Sequence, residues 1–95
     1  ALLASAQIPL AVVAASVELL RLFVELGDKT NRYLRSDLGI AAVLADATAR
    51  SSKWNVLINA AQLPEAERVK IGAELAAMLD ESKKLCERVE ELCKV

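Results

Sequence analysis

Four polar side chains share one face of the second of three predicted helices, and they are the first candidates for chemistry. The spacing i, i+4, i+7 and i+11 on this otherwise apolar segment is occupied by Thr48, Ser52, Asn55 and Asn59. Helix interiors disfavour Asn, because its amide competes for backbone hydrogen bonds. Either the amides bond neighbouring helices or ordered water, or they line a cleft and bind a heterocycle or an amide through paired donors and acceptors.

A second candidate site lies where the same helix is predicted to begin. Ser36 is a predicted N-cap, and Asp37 follows in the first turn, where the helix dipole favours an anion. A carboxylate in this position suits a general base or an orienting acceptor better than a proton donor. The preceding loop carries Lys29, Arg32 and Arg35. These cations are either a solvated loop surface or a receptor for an anionic ligand tail.

The two candidate sites are far apart along the helix. Asp37 and Asn55 are separated by eighteen residues, or five full turns, so they share a face but lie ~27 Å apart along the axis. One small head group cannot touch both. If both are functional, they serve opposite ends of a long cleft or two sites that other chains complete.

The composition of the chain argues against several classes of functional site. The chain has no His and two Cys, which excludes the commonest zinc sites and the Ser-His and Cys-His catalytic arrangements. Cys86 and Cys93 lie seven residues apart on one helix, ~10 Å in rise, so they cannot form a disulfide with each other. We expect inert thiols of a reducing cytosol and no metal site. A net charge of −1 gives no basic surface of the kind that binds nucleic acid. A membrane span is not expected either, because Gln7, Pro9 and Glu18 interrupt the apolar run that it would need.

Three helices are predicted to position these residues. The first covers about 4–26, with Gly27 as a C′ glycine and Pro9 either kinking the helix or marking its first turn. The second covers 37–61, and the third covers 65–94 with Pro64 at its first position. Residues of the third helix follow a 4-3 apolar spacing that favours packing within the chain.

The apolar share of the chain is too large for a lone domain of this size. Apolar residues make up 55 % of 95 positions, and they concentrate in the first helix before Glu18 and along the second helix, where Trp54 is expected in the core. The chain also starts inside an apolar run. We therefore expect residues 1–95 to be one partial, all-α domain of three long antiparallel helices. They would form part of a larger orthogonal or up-down bundle, completed by N-terminal helices of the same protein and by a dimer mate.

Two separated motifs resemble one protein family. Residues 36–41 read Ser-Asp-Leu-Gly-Ile-Ala and residues 55–59 read Asn-Val-Leu-Ile-Asn, after a loop that contains Asn31. This pattern resembles the C-terminal half of the cyclodeaminase/cyclohydrolase family, which includes the cyclodeaminase domain of formiminotransferase-cyclodeaminase and stand-alone methenyltetrahydrofolate cyclohydrolases. The resemblance covers about residues 4–64.

The resemblance implies an all-helical domain of about twice this length that dimerises and binds a reduced folate. Its reaction would convert formiminotetrahydrofolate to methenyltetrahydrofolate with loss of ammonia, or hydrolyse the methenyl form to a formyl form. Neither reaction needs a metal or a redox cofactor, so the tetrahydrofolate derivative is the only small molecule expected. The N-terminal half of the family domain is absent from this sequence, so we expect the chain alone to be inactive.

The resemblance also assigns roles to individual residues in a cytoplasmic homodimeric enzyme. Asp37 would be the catalytic residue, and the substrate-binding residues would be Asn31, Arg32, Ser36, Asn55 and Asn59. The alternative is a non-catalytic helical packing or dimerisation module, in which the Asn stripe only fixes helix register.

Overall fold

Three helices and two short connections make up the computed structural model, which describes residues 2–94. The helices are α1 (Leu2–Gly27), α2 (Arg35–Ala60) and α3 (Glu65–Leu92). The prediction of an all-α chain of three long helices is confirmed. The boundaries lie within two residues of the predicted ones, and only Ala1 and Val95 fall outside the described part of the predicted single domain.

Consecutive helices are antiparallel, so α1 and α3 run in the same direction. The starts of α1 and α3 meet in a groove lined by Gln7 and Glu67. At the other end of the bundle, Gly27 contacts Leu92. The resulting rod measures 49 × 17 × 15 Å, and it brings the start of α2 against the ends of α1 and α3.

The start of α2 is held by Asn31 rather than by Ser36. The Asn31 side-chain oxygen accepts a hydrogen bond from the Tyr33 backbone N–H at 3.0 Å, and the Asn31 carbonyl accepts one from the Leu34 N–H at 3.1 Å. The helix begins at Arg35, and its N-cap residue Leu34 makes no side-chain capping bond. The predicted Ser36 N-cap is therefore wrong, because the Asn31 turn already directs the chain into the helix one residue before Ser36.

The predicted roles of Gly27, Pro64 and Pro9 also need correction. Gly27 is the last residue of α1, and no described residue adopts a positive φ, so Gly27 is not a left-handed C′ residue. A Cβ at Gly27 would lie 3.0 Å from Leu92 Cδ1, so a glycine allows the ends of α1 and α3 to approach each other. Pro64 is the N-cap of α3 rather than its first residue. Pro9 lies inside α1, which begins seven residues earlier at Leu2.

Alanine forms most of the side of α2 that packs against the other helices. The buried residues of α2 are Ala42, Ala45, Ala49, Val56 and Ala60. Small side chains at a helix contact let the helix axes approach closely. The large apolar residues of α2 are then left on the other side, because the close contact has no room for them.

Trp54 is the clearest example of a large apolar side chain that the close helix contact leaves on the surface. The prediction that Trp54 lies in the core is wrong, since its side chain is 68 % exposed. The Lys53 ammonium lies 5.0 Å from the centre of its ring. Trp54 thus sits on the surface of the chain, although it carries the largest apolar side chain.

An outer apolar face extends over the exposed surfaces of α1 and α2, and at the start of α2 it reaches the cleft with α3. Its residues follow 4-3 spacings and are 39–69 % exposed; they are Ile8, Val12, Leu19, Leu22, Leu26, Ile40, Leu44, Trp54 and Ile58. The opposite side of the helix pair meets α3, where Arg21 Nε donates to Glu81 at 2.9 Å. The described chain therefore leaves much of its apolar surface uncovered. Among residues 2–94, no helix has both the length and the apolar character needed to cross a membrane.

The core is divided into two apolar clusters by a polar layer. One cluster includes Val13, Val56 and Ile71, and the other includes Leu20 and Val89. Two buried serines lie between the clusters: Ser16 donates to the Val12 carbonyl at 2.9 Å, and Ser82 donates to Asp46 Oδ1 at 2.7 Å. The 4-3 pattern of α3 is confirmed as packing within the chain, because its buried residues belong to these clusters and this layer.

Two glycine substitutions test the close contact between α1 and α3. Gly72→Ala should raise the free energy of unfolding by about 0.5–1 kcal/mol, because alanine favours the helix and the new Cβ meets nothing within 4 Å. Gly27→Ala should gain less or destabilise, because its Cβ would also lie 3.2 Å from Leu92 Cβ. Urea unfolding measures both variants. Equal gains would contradict the close approach at Gly27.

Candidate functional site

Two clefts flank the start of α2, and Asp37 lines the first of them. This α1–α2 cleft has a volume of about 320 Å³. Its lining residues are Leu26, Thr30, Leu34, Asp37, Leu38 and Ala41. Asp37 is the one ionisable side chain in this set, and it is exposed to solvent. The cleft therefore presents a single accessible carboxylate against apolar walls, an arrangement that suits proton acceptance from an uncharged or cationic ring system.

The second cleft, the α2–α3 cleft, lies on the other flank of the same helix. Its volume is about 410 Å³, and it is lined by Arg35, Ser36, Gly39, Ile40, Val43, Leu44, Glu90 and Cys93. Arg35 and Glu90 bring opposite charges to a mostly apolar surface. Gly39 brings the backbone of α2 close to α3, since a Cβ there would lie 3.9 Å from Cys93 Cβ.

The predicted site residues near the start of α2 are distributed over different surfaces. Ser36 and Asp37 are adjacent in sequence but line different clefts, because successive helical residues point about 100° apart. The Asn31 side-chain oxygen is engaged in the turn before α2. The Arg32 guanidinium is exposed and lies 5.5 Å from the centre of the Tyr33 ring. Arg32 lines neither of the two clefts.

The Asn stripe lies at the surface of the described chain. Asn55 is exposed, Asn59 is half-buried, and Asn59 Nδ2 donates to the Asn55 carbonyl at 2.8 Å. Thr48 Oγ1 likewise donates to the Leu44 carbonyl at 2.8 Å. Within residues 2–94, the hydrogen bonds made by these side chains stay inside α2, so the stripe does not link α2 to α1 or α3. Asp37 and the Asn pair remain at opposite ends of one straight helix, ~27 Å apart.

The sequence pattern does not predict Glu90 as a site residue, and it does not show that Arg35 lines a cleft. Glu90 belongs to the charged side of α3, and its Oε1 accepts a hydrogen bond from the Cys86 thiol at 3.3 Å. Arg35 is one of the loop cations for which the sequence leaves open a solvated surface or a receptor for an anionic ligand tail, and the structure shows that its Nε is buried. The sequence signal that points to Glu90 is the 4-3 apolar pattern of α3. This pattern continues to Leu92, so in an up-down-up bundle the end of α3 lies beside the start of α2.

A third groove between α2 and α3 carries both signs of charge. It has a volume of about 490 Å³, and among its lining residues are Asp46, Arg50, Lys83 and Glu87. Arg50 Nε lies 3.5 Å from Asp46 Oδ2. No group of three or more Cys, Asp or Glu side chains in the described part of the chain is arranged to hold a metal ion.

Both cysteines are free and buried, which agrees with the prediction of inert thiols. Burial raises the pKa of the Cys86 thiol to about 12, and the hydrogen bond to Glu90 adds to this rise. A thiol that stays protonated is a poor nucleophile. Cys86 therefore has a packing role, although it lies next to both α2–α3 openings.

Comparison with known proteins gives one match. The family model described as formiminotransferase-cyclodeaminase matches residues 1–77, which span α1, α2 and the first part of α3. Both sequence motifs lie inside the matched range. No curated protein sequence and no solved structure matched the chain.

The raised pKa of Cys86 predicts a loss of stability in alkali. Above pH 9 the unfolded thiol gives up its proton, while the folded thiol keeps it up to about pH 12. Stability should therefore fall across this window by up to about 1.4 kcal/mol per pH unit from this group. Urea unfolding of the wild type and of Cys86→Ala between pH 8 and pH 10 isolates the effect. Parallel pH profiles for the two proteins would contradict it.

Proposed function

We propose that this chain, which belongs to the formiminotransferase-cyclodeaminase family, is a substrate-binding part of a folate-dependent cyclodeaminase. The family indicates a folate-related one-carbon function. The proposed reaction closes a ring in formiminotetrahydrofolate to give methenyltetrahydrofolate and ammonia. The observation that carries the proposal is the match over residues 1–77, because it includes both motifs and the helix that holds Asp37.

Asp37 has the chemistry that this ring closure needs. The attacking nitrogen of the folate must lose a proton as the new carbon–nitrogen bond forms, and the departing amino group must gain one before it leaves as ammonia. A carboxylate in the first turn of α2 can accept the first proton. The apolar walls of the α1–α2 cleft suit the flat pterin ring system.

A second copy of the chain would bring Asp37 and the Asn pair together. Soluble homodimers are mostly two-fold symmetric, and a two-fold axis reverses the direction of a helix that crosses it. Asp37 lies ten residues before Ala47, and Asn55 and Asn59 lie eight and twelve residues after it, so the middle of the Asn pair is as far from Ala47 as Asp37 is. A two-fold axis beside Ala47 therefore places Asp37 of one copy opposite Asn55 and Asn59 of the other. The outer apolar face supports this arrangement, because it borders the same side of α2.

The N-terminal half of the same protein would cover the rest of the outer apolar face. Ile8 and Leu22 of α1 are more than half exposed. Exposed apolar surface of this extent is typical of a face that meets another subunit or domain. The proposed enzyme is therefore a cytoplasmic homodimer in which each copy contributes more helices than α1–α3.

The role of Asp37 is tested by turnover of formiminotetrahydrofolate in the full-length protein. We expect the methenyl form and ammonia to appear together, and Asp37→Asn should lower kcat about 100-fold or more with little change in KM. Asp28→Asn is the matched control, because it removes an equally exposed carboxylate from the neighbouring loop. Its kcat should match that of the wild type.

Several outcomes would overturn the proposed function. An absence of both folate binding and turnover excludes it. Full activity in Asp37→Asn removes Asp37 from the reaction. Hydrolysis of the methenyl form without any release of ammonia from formiminotetrahydrofolate would replace the deaminase with a cyclohydrolase.

The Asn pair gives a second test, which separates the enzyme from a packing module. Because the Asn59 amide bonds to a backbone carbonyl of α2 and the Asn55 side chain is exposed, replacing both by Ala should change stability by no more than about 0.5 kcal/mol. If the pair contacts the substrate, the double variant should bind tetrahydrofolate derivatives about tenfold more weakly. Calorimetric titration measures affinity and urea unfolding measures stability. Unchanged affinity with lost stability would instead indicate a non-catalytic helical module.

A further inference from the structure

The Arg35 side chain has a hydrogen-bond donor that the chain does not use. Arg35 Nε is buried, and it has no hydrogen-bond partner among the described residues. None of the ion pairs formed within residues 2–94 includes this guanidinium. A buried donor without an acceptor is unfavourable, and a rotation of the side chain into the cleft would let the guanidinium fork bind the two oxygens of an anionic group such as a carboxylate.

The residues around Arg35 indicate which chemical groups the rest of the ligand would need. The α2–α3 cleft that it lines has a volume of about 410 Å³, which lies in the range of small-molecule sites, about 300–1,000 Å³. Beside the guanidinium, Ile40, Val43 and Leu44 form an exposed apolar wall on α2. A cation next to an apolar wall suits a ligand that joins a carboxylate to an aromatic or aliphatic body.

We propose that the α2–α3 cleft binds the glutamyl end of the folate substrate, with Arg35 donating to a glutamyl carboxylate. The apolar wall contacts the neighbouring aminobenzoyl ring. This inference rests on the proposed function, because the glutamyl and aminobenzoyl groups belong to that substrate. Arg35 and Asp37 lie two residues apart on opposite flanks of α2, so one elongated molecule can reach both by crossing the first turn of the helix.

The opposite wall of the cleft gives the proposal a second, independent consequence. Glu90 lies across the cleft from Arg35 and is exposed, and its Oε1 accepts the hydrogen bond from the Cys86 thiol. Its negative charge opposes the binding of a carboxylate. Removing that charge while keeping the shape of the side chain should therefore strengthen binding, the reverse of the effect of removing the charge of Arg35.

Calorimetric titration of the full-length protein with p-aminobenzoylglutamate tests this site. Arg35→Gln should weaken binding about tenfold or more, and Arg35→Lys should show a smaller loss, because it keeps the charge without the fork. Glu90→Gln should bind more tightly than the wild type. Arg88→Gln is the matched control, since it removes an equal charge from an exposed position of α3 that does not line the cleft, and its affinity should be unchanged. Urea unfolding verifies that each variant is folded.

The outcomes distinguish this inference from the proposed function. Equal affinity of folded Arg35→Gln and wild type, or an equal loss in Arg88→Gln, would overturn the assignment of Arg35. If the wild type also converts formiminotetrahydrofolate and Arg35→Gln leaves KM unchanged, the inference fails while the proposed function stands. A wild type that binds p-aminobenzoylglutamate through Arg35 but never converts the folate supports the site and contradicts the reaction.

Discussion

The close packing of α2 through alanine is the constraint on which the rest of the structure depends. Ala42, Ala45, Ala49 and Ala60 are buried, while Ile40, Leu44 and Trp54 of the same helix are exposed. Small residues inside allow three helices to pack into a rod 49 Å long and 17 Å wide. They also force the large apolar residues outward. The helix that holds the candidate site is therefore apolar on the side that the chain does not cover.

The same constraint determines what the site can be. Both clefts lie at the start of α2, where the ends of α1 and α3 meet it, and both combine charged side chains with a mostly apolar surface. Asp37 offers a carboxylate on one flank and Arg35 offers a guanidinium on the other. The Asn pair lies five turns away on the same straight helix. In a single copy these groups cannot meet, whereas in the proposed dimer an antiparallel second copy of α2 would bring the carboxylate of one chain to the amides of the other.

Much of the fold could be predicted from the sequence, because helix periodicity and proline and glycine positions are local signals. The 4-3 pattern of α3 and the break at Pro64 required no tertiary information. The burial of Trp54 was predicted wrongly, since hydrophobicity does not reveal that the helix contact is too close for an indole ring. The cap of α2 was assigned to Ser36 because the Asn31 turn depends on backbone geometry that spacing does not show. The unpaired Nε of Arg35 is a tertiary property, so only the structure could reveal it.

The central claim is that the site is shared between two copies of the chain. Mixing two variants that are each impaired in one part of the site tests it most directly, at substrate concentrations below KM, where weakened binding lowers the rate. Full-length Asp37→Asn and the Asn55→Ala/Asn59→Ala double variant are dissociated, mixed in equal amounts and reassociated, and formation of methenyltetrahydrofolate is measured. Half of the resulting dimers should be mixed, and each mixed dimer should contain one intact site, so activity should return to about a quarter of the wild-type value. If reassociated mixed dimers are no more active than the separate variants, the shared site is contradicted.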